Sequence, residues 1–449
     1  MKIVIAGAGE VGSHLAKMLS IERHSISIID SDEERLNKLS ETADVVTFCG
    51  SPTSIAMLEK AGAASADLFV SVSPAHEQDV NILSAMLAKR LGSKKVTARI
   101  NNDEYLNPDH KTLFVEMGID FLFYPEKVAA YEIIDLLKQT GTSEFMDFSG
   151  GKLQLVVLKL EEGAPMLNKC LSEVPNGDQT PLFRAVAIAR EGRTLIPKSN
   201  TEFKINDLVF VVSKRESVEY VMELSGKNNI DVQRLMIMGG GRIGAQVAKK
   251  LEKQISQVKL VEANMERCEE LSQSLKNTLI INGDARNMNL LLEEELRLTD
   301  AFVAVTGNSE TNILSCVAAK QAGVQKTIAE VENIDYIPLA KGMGVDAVIN
   351  KKLITAGRIF RFTMSNNVQS IKCLNGSDAE VLEFIATPGS IVTTHKICDI
   401  NFPEEAIIGG AIRDNNSFIA TDDFEIKPFD RVVVFALPEA IGRVGKFFA

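Results

Sequence analysis

At 449 residues, 45% of them hydrophobic and 24% charged, the chain is too long for one ordinary core and calls for several domains of about 100–200 residues each. No apolar run approaches the roughly 18–20 residues a spanning helix needs, which argues against a chain that crosses a membrane. The net charge of −11, without a Lys/Arg-rich stretch, disfavours a nucleic-acid partner, whose phosphates need a positive surface, yet it suits the basic inner loops of a membrane protein.

The opening run "MKIVIAGAGE" stops at a glycine loop and continues with helical spacing, so it is predicted to be a first strand and not a cleaved leader. Short β-rich runs follow at "SISIID", "DVVTFCG", "DLFVSVS", "KVTARI" and "FLFYP", alternating with helical stretches such as "HEQDVNILSAMLAKRLG". Strands and helices alternating at this length predict a parallel, doubly wound sheet. The order then returns in "RLMIMG", "QVKLVEA", "NTLIING", "AFVAVT", "KTIAEV" and "AVINK". Aligned, "ADLFVSVSPAHEQDVNILSAMLAK" and "TDAFVAVTGNSETNILSCVAAK" share an acid, an apolar strand, a small-residue loop and "NIL" on the next helix. Such a match marks an internal duplication.

Two smaller segments have a different pattern. One reads as strands "KLQLVVLKL", "FRAVAIAR" and "DLVFVVS" with a closing helix; the other reads as "AEVLEFIA", "AIIGGAIRD" and "RVVVFAL", also with a closing helix. The expected architecture is therefore α/β: two Rossmann-like sheets at 1–140 and 228–363, each followed by a small α+β lobe, at 141–227 and 364–449. Polar stretches "SGKNNIDVQ" and "MSNNVQS" suit the junctions.

"GAGEVG" places Gly7, Gly9 and Gly12 between a strand and a helix, and "GGGRIG" repeats the spacing with Gly239, Gly241 and Gly244. In that setting the first glycine makes the turn, the second admits a pyrophosphate to the backbone, and the third lets helix and strand pack closely. Asp30 and Glu262 end the second strand of each copy, 18 residues beyond the third glycine. An acid there accepts hydrogen bonds from ribose hydroxyls and repels a 2′-phosphate, favouring NAD(H) or an adenosine nucleotide. Carboxylates also commonly open helices, so that reading stands beside the first.

The two expected sites differ. Arg99 in the first can present a fork of donors to phosphate, whereas its counterpart is Glu330. Asp284 of "NGDAR" replaces Ser51 of "CGSPT", and Arg242 stands where the first copy has Glu10. The candidate contacts are Gly7, Gly9, Glu10, Val11, Gly12, Asp30, Ser51, Ser73 and Arg99 in the first site. In the second they are Gly239, Gly241, Arg242, Gly244, Glu262, Asp284 and Thr306.

No catalytic set accompanies these loops. The five histidines, His14, His24, His76, His110 and His395, are scattered, and no motif for a nucleophile, a zinc site or a Walker lysine is present. Six cysteines without a CxxC pair (Cys49, Cys170, Cys268, Cys316, Cys373, Cys398) predict reduced and mostly buried thiols. Asp207 and Asp430 each stand before a final apolar strand, where isolated acids are commonly turn residues. The residues leave open an NAD-dependent oxidoreductase.

The glycine loops with Asp30, the paired "VSVSPAHEQDVNILSAMLAK" and "VAVTGNSETNILSCVAAK" segments, "TARINNDEYL" and the "RAVAIAREGRTLIPKSNTEFKINDLVFVV" lobe resemble RCK modules, regulators of potassium conductance. The tandem arrangement resembles the TrkA family of Trk potassium-uptake systems. The resemblance implies no enzyme activity, a homo-oligomer of tandem modules, NAD/NADH with ADP or ATP as ligands, and a Trk-type membrane potassium-translocating subunit as partner. It implies a cytoplasmic location at the inner face of the cell membrane. It places the dinucleotide loop on Gly7, Gly9 and Gly12, the ribose acid on Asp30 and the phosphate-side arginine on Arg99. Ser51 and Glu330 depart from the family pattern. The resemblance also makes Asp207 and Asp430 candidate ion contacts of the small lobes, and it leaves open regulation of another cation transport system.

Overall fold

The computed structural model describes residues 1–448 except 22–23, 75–76, 139–143, 149–150, 178–179, 227–230, 361–367, 374–376 and 378. The expected domain boundaries and part of each junction lie outside the described residues, as does His76. The chain divides into two compact units, residues 1–128 with 351–365, and residues 129–350 with 366–449.

The first unit is built on β1 (Lys2–Ala6), β2 (Ser25–Asp30), β3 (Val46–Cys49), β4 (Leu68–Ser71), β5 (Lys95–Arg99) and β6 (Phe121–Phe123). They form one parallel sheet in the order β3-β2-β1-β4-β5-β6. The order reverses between β1 and β4, which opens a crevice at their carboxyl ends. Interleaved helices are α1 (Glu10–Ile21), α2 (Glu33–Ser40), α3 (Ile55–Ala61), α4 (Gln78–Leu91) and α5 (Pro108–Glu116), while α6 (Pro125–Lys138) starts in this unit and belongs from Ala129 onward to the second. Apolar strands covered on both faces give a core of Val4, Phe69, Val96 and Ala98 with Ala85 and Ala88 of α4.

The second unit contains β7 (Glu144–Phe148), β8 (Leu153–Lys159), β9 (Phe183–Arg190), β10 (Arg193–Leu195), β11 (Leu208–Lys214) and α7 (Val218–Leu224) as one lobe. Next comes a second parallel sheet: β12 (Arg234–Met238), β13 (Gln257–Glu262), β14 (Thr278–Asn282), β15 (Ala301–Ala304), β16 (Lys326–Glu330) and β17 (Ala347–Ile349). Its order, β14-β13-β12-β15-β16-β17, repeats that of the first. Its helices are α8 (Arg242–Leu251), α9 (Met265–Ser274), α10 (Met288–Glu293), α11 (Ser309–Gln321) and α12 (Tyr336–Gly342). The chain then enters α13 (Lys351–Phe360), which belongs to the first unit and packs against α1. The last lobe has β18 (Val368–Cys373), β19 (Glu380–Ile385), α14 (Ile391–Thr394), β20 (Ala406–Arg413), β21 (Asn416–Ile419), β22 (Arg431–Ala436) and α15 (Pro438–Phe448).

Duplication extends to individual bonds. The Asp120 carboxylate accepts from Lys89 (2.9 Å) and the Val96 N–H (2.7 Å); Asp346 accepts from Lys320 and the Thr327 N–H, both at 2.8 Å. In the lobes, Arg190 grips Asp207 through two bonds of 2.7 and 2.6 Å, and Arg413 grips Asp430 at 2.8 and 2.6 Å. Each aspartate also accepts a backbone N–H, from Lys204 and Lys427. These buried carboxylates are structural clasps whose oxygens are engaged by arginine and backbone, which displaces the ion-contact alternative.

The lobes' antiparallel sheets, β10-β9-β11-β8-β7 and β18-β19-β22-β20-β21, include four short or outer strands (β7, β10, β18, β21) that the sequence reading passed over. The sheets share one core, in which Val186, Phe210 and Val212 meet Val381, Val433 and Phe435. Phe210 and Phe435 lie 5.6 Å apart between ring centroids. A Cβ placed on Gly409 would lie 2.7 Å from Val212 Cγ2 and 3.1 Å from Val186 Cγ1. Gly409 occupies in β20 the place that Val186 has in β9.

Candidate nucleotide sites

The first glycine loop is rigidly built. Gly7, at φ +107°, turns the chain out of β1, and its N–H donates to the Ile29 carbonyl at 2.8 Å. A Cβ on Gly12 would lie 1.9 Å from the Gly7 carbonyl oxygen, whereas one on Gly9 would meet nothing within 4 Å. Two glycines therefore serve packing, and the middle one leaves open space before the N-terminus of α1. The second loop repeats this: Gly239 at φ +104°, a clash of 2.0 Å for Gly244, and open space at Gly241.

Asp30 and Glu262 occupy matching places. Asp30 is 7% exposed and accepts from the Ala8 N–H at 2.5 Å and the Asp32 N–H at 2.8 Å. Glu262 accepts from the Gly240 N–H at 2.7 Å and the Asn264 N–H at 2.8 Å. Neither caps the following helix: Asp32 and Asn264 do that, accepting from Arg35 and Arg267. Each acid thus ties its glycine loop to the next strand–helix turn. A carboxylate offers about four lone-pair sites, so two bonds do not exhaust it.

The loop after the fourth strand is latched by a residue whose role the sequence reading missed. Asn81, fully buried, accepts from the Ser73 N–H at 2.8 Å and donates to the Ser73 carbonyl at 3.1 Å. Asn312 makes the same pair with Thr306, at 3.0 Å each way. The repeated "NIL" was the visible signal. The first-copy latch presses on the glycine turn, since a Cβ on Gly7 would lie 2.7 Å from the Ser73 nitrogen.

The remaining candidates separate. Gly9 and Glu10 line a cleft of about 400 Å³ with Ser13, Lys17, Arg35 and Lys38, but Asp30, Ser51, Ser73 and Arg99 do not border it. Ser51 pairs with Thr53 through their hydroxyls at 2.8 Å. Val11, in the first turn of α1, is buried. Arg99 donates to Glu126 at 2.8 Å, with side chains only 12% and 8% exposed, so a phosphate must compete with a buried carboxylate. The charged Glu10 meets Lys352 of α13 at 3.2 Å.

The second cleft, about 440 Å³, gathers Gly239, Gly241, Glu262, Asp284 and Thr306. Arg286 also lines it, a residue of "NGDAR" outside the sequence-predicted contacts. Arg286 binds Asp284 through bonds of 2.6–3.0 Å and holds its carboxyl down at about 2. Arg242 begins α8 and is exposed, but it does not line the cleft. Gly244 is buried behind the loop.

The described histidines stay apart. His14 is buried on α1, and its pKa is lowered to about 4, first by burial and then by the charges of Lys352 and Lys17. His24 lies 3.3 Å from the N-terminal amine, His110 contacts the Glu104 carbonyl, and His395 contacts Thr394. Among the described residues no group of three or more His, Cys, Asp or Glu could hold a metal ion, and no helix is long and apolar enough to cross a membrane. Among the described residues the thiols are less buried than expected: Cys268 and Cys316 are buried, Cys170 is intermediate, and Cys49 and Cys398 are exposed. Cys49 ends the edge strand β3, and Cys170 and Cys398 lie at short helical turns away from the cores.

A TrkA-N domain family model matches residues 3–125 and 235–351, and a TrkA-C domain model matches 381–449. The Trk system potassium uptake protein TrkA homolog of Archaeoglobus fulgidus is 34% identical over 450 residues, covering 100% of both chains. The Trk system potassium uptake protein TrkA of Halomonas elongata is 33% identical, covering 97% of this chain and 96% of its own. The crystal structure of the GsuK RCK domain superposes with a TM-score of 0.63 at 16% identity, over 100% of this chain and 94% of that one. The GsuK channel bound to NAD gives 0.61 at 16% identity, over 100% and 78%. With both parallel-sheet domains matched and full-length relatives above 30% identity, the chain belongs to the TrkA family of Trk potassium-uptake proteins.

Proposed function

We propose that this chain is a non-enzymatic regulatory subunit that binds NAD(H) and adenine nucleotides and controls a membrane potassium-uptake transporter. The observation that carries this reading is the duplicated acid-tied glycine loop, with open space at Gly9 and Gly241, in a chain of the TrkA family. Gly7, Gly9, Glu10, Val11, Gly12, Asp30, Ser51, Ser73 and Arg99 form the first site. Gly239, Gly241, Arg242, Gly244, Glu262, Asp284 and Thr306 form the second. Domains at 1–140, 141–227, 228–363 and 364–449 work as two tandem modules. The subunit lies in the cytoplasm beneath its membrane partner as a homo-oligomer. Exposed Leu83, Leu113 and Met117, repeated in the second copy as exposed Leu314, Leu339 and Met343, support self-association.

Control follows from differential affinity. Each tenfold preference of a nucleotide for one conformation supplies about 1.4 kcal/mol toward it, and several sites in one assembly multiply the effect. The scattered histidines favour binding without cofactor turnover. The test is association of the purified protein with a detergent-solubilised Trk-type membrane subunit, with and without NADH, NAD, ADP and ATP. Association that changes with nucleotide supports the reading. Absence of a complex under every condition, or NADH oxidation with a small substrate, overturns it in favour of an oxidoreductase.

A further inference from the structure

We infer that Lys352, more than 300 residues along the chain from the first glycine loop, is a positioning residue of the first nucleotide site, and that through it occupancy of that site is tied to helix α13. The inference rests on the nucleotide reading above. Glu10 is the first residue of α1 and lines the cleft beside Gly9. Its carboxylate therefore stands where a pyrophosphate would meet the helix N-terminus. Left alone, an anion there opposes the binding of another anion. The Lys352 ammonium lies 3.2 Å from that carboxylate, and its side chain is only 16% exposed while that of Glu10 is 62% exposed. The cation is thus held by packing and the anion is the exposed member.

A further observation bears on Lys352. His14, one turn beyond Glu10 on α1, feels the Lys352 charge, and its buried Nε2 has no hydrogen-bond partner. Lys352 therefore sits against the first turns of α1, with its charge directed at Glu10. Asn350 is the last residue before α13, and β17 of the second parallel sheet ends at Ile349. Any shift of the Glu10 carboxylate on phosphate binding is thus felt by a helix that continues directly from the second sheet.

The experiment uses the full chain and its Lys352→Gln, Glu10→Gln, Glu10→Gln/Lys352→Gln and Asp30→Ala variants, titrated calorimetrically with NADH and ADP. Amide hydrogen exchange of residues 351–360 is followed with and without NADH. Losing a neutralising charge beside a phosphate is expected to weaken binding by about three- to tenfold in Lys352→Gln. The double variant should return to within about twofold of the parent, and NADH should protect α13 in the parent but not in the double variant. Parent-like affinity in Lys352→Gln, or no recovery in the double variant, overturns the role of Lys352; if Asp30→Ala still loses binding, the nucleotide reading survives. A parent chain that binds neither ligand overturns both.

Discussion

Alanine at Gly9 and at Gly12 should produce opposite defects. A Cβ at position 12 would lie 1.9 Å from the Gly7 carbonyl oxygen, and real Cβ contacts essentially never fall below 3.0 Å, so α1 or the turn must open by about 1.1 Å. Overpacking of that kind costs about 1–3 kcal/mol, or several degrees of melting temperature for a unit of this size, at about 2–4 °C per kcal/mol. At position 9 nothing lies within 4 Å and the backbone is not left-handed, so stability should change by less than about 0.5 kcal/mol. The added methyl instead occupies the space before the α1 N-terminus. A phosphate pushed from one or two backbone N–H donors loses about 1.5–3 kcal/mol per bond, which is about a tenfold to hundredfold loss of affinity or more. Scanning calorimetry with NADH titration separates the two effects, and Gly241→Ala repeats the test in the second cleft. Parent affinity in Gly9→Ala, or equal destabilisation of both variants, would refute the reasoning.

Asp30→Ala should weaken nucleotide binding at the first site by at least about tenfold and also lower stability by about 2 kcal/mol, because two backbone N–H groups lose a charged acceptor; titration with a parallel melt checks both. Asn81→Ala should cost about 2–4 kcal/mol by leaving the Ser73 N–H and carbonyl unpaired, read in urea unfolding of the first unit. His14 makes the fold sensitive to acid. Its folded pKa of about 4 lies below the ordinary 6.5, so between those values the unfolded chain binds more protons, and stability falls as pH drops from 6.5 toward 4, by at most about 3 kcal/mol. His14→Gln should flatten that slope, and an unchanged slope would remove His14 as its source.

The parallel sheets were legible because every strand is an apolar run cut off by a helix signal, and duplication showed each twice. Glycine spacing located both loops for the same reason. The edge strands β10 (Arg193–Leu195) and β21 (Asn416–Ile419) are short and partly exposed, so alternation had little to mark them. The partners of the site residues were harder to read. Glu126 meets Arg99 across 27 residues, and Lys352 reaches Glu10 from near the far end of the second sheet. Pairings of that kind depend on how helices pack, which no local pattern records. Asn81 opens the repeated "NIL", yet its buried amide is distinguishable from a helix-surface asparagine only when the Ser73 loop folds over it.

The meeting of the two lobes makes the halves of this chain non-interchangeable. Val186 and Val212 fill the space that Gly409 leaves, while Phe210 and Phe435 sit at different steps along the corresponding strands β11 and β22. Two copies of the first lobe brought together in this way would set valine against valine at the closest approach, and two copies of the last lobe would set glycine against glycine with Phe435 in the place of Val212. Neither self-pairing reproduces the valine-into-glycine fit. A duplication that began with equal halves has become a lock and its key, and the order of modules along the chain is thereby written into the shape of a hydrophobic seam.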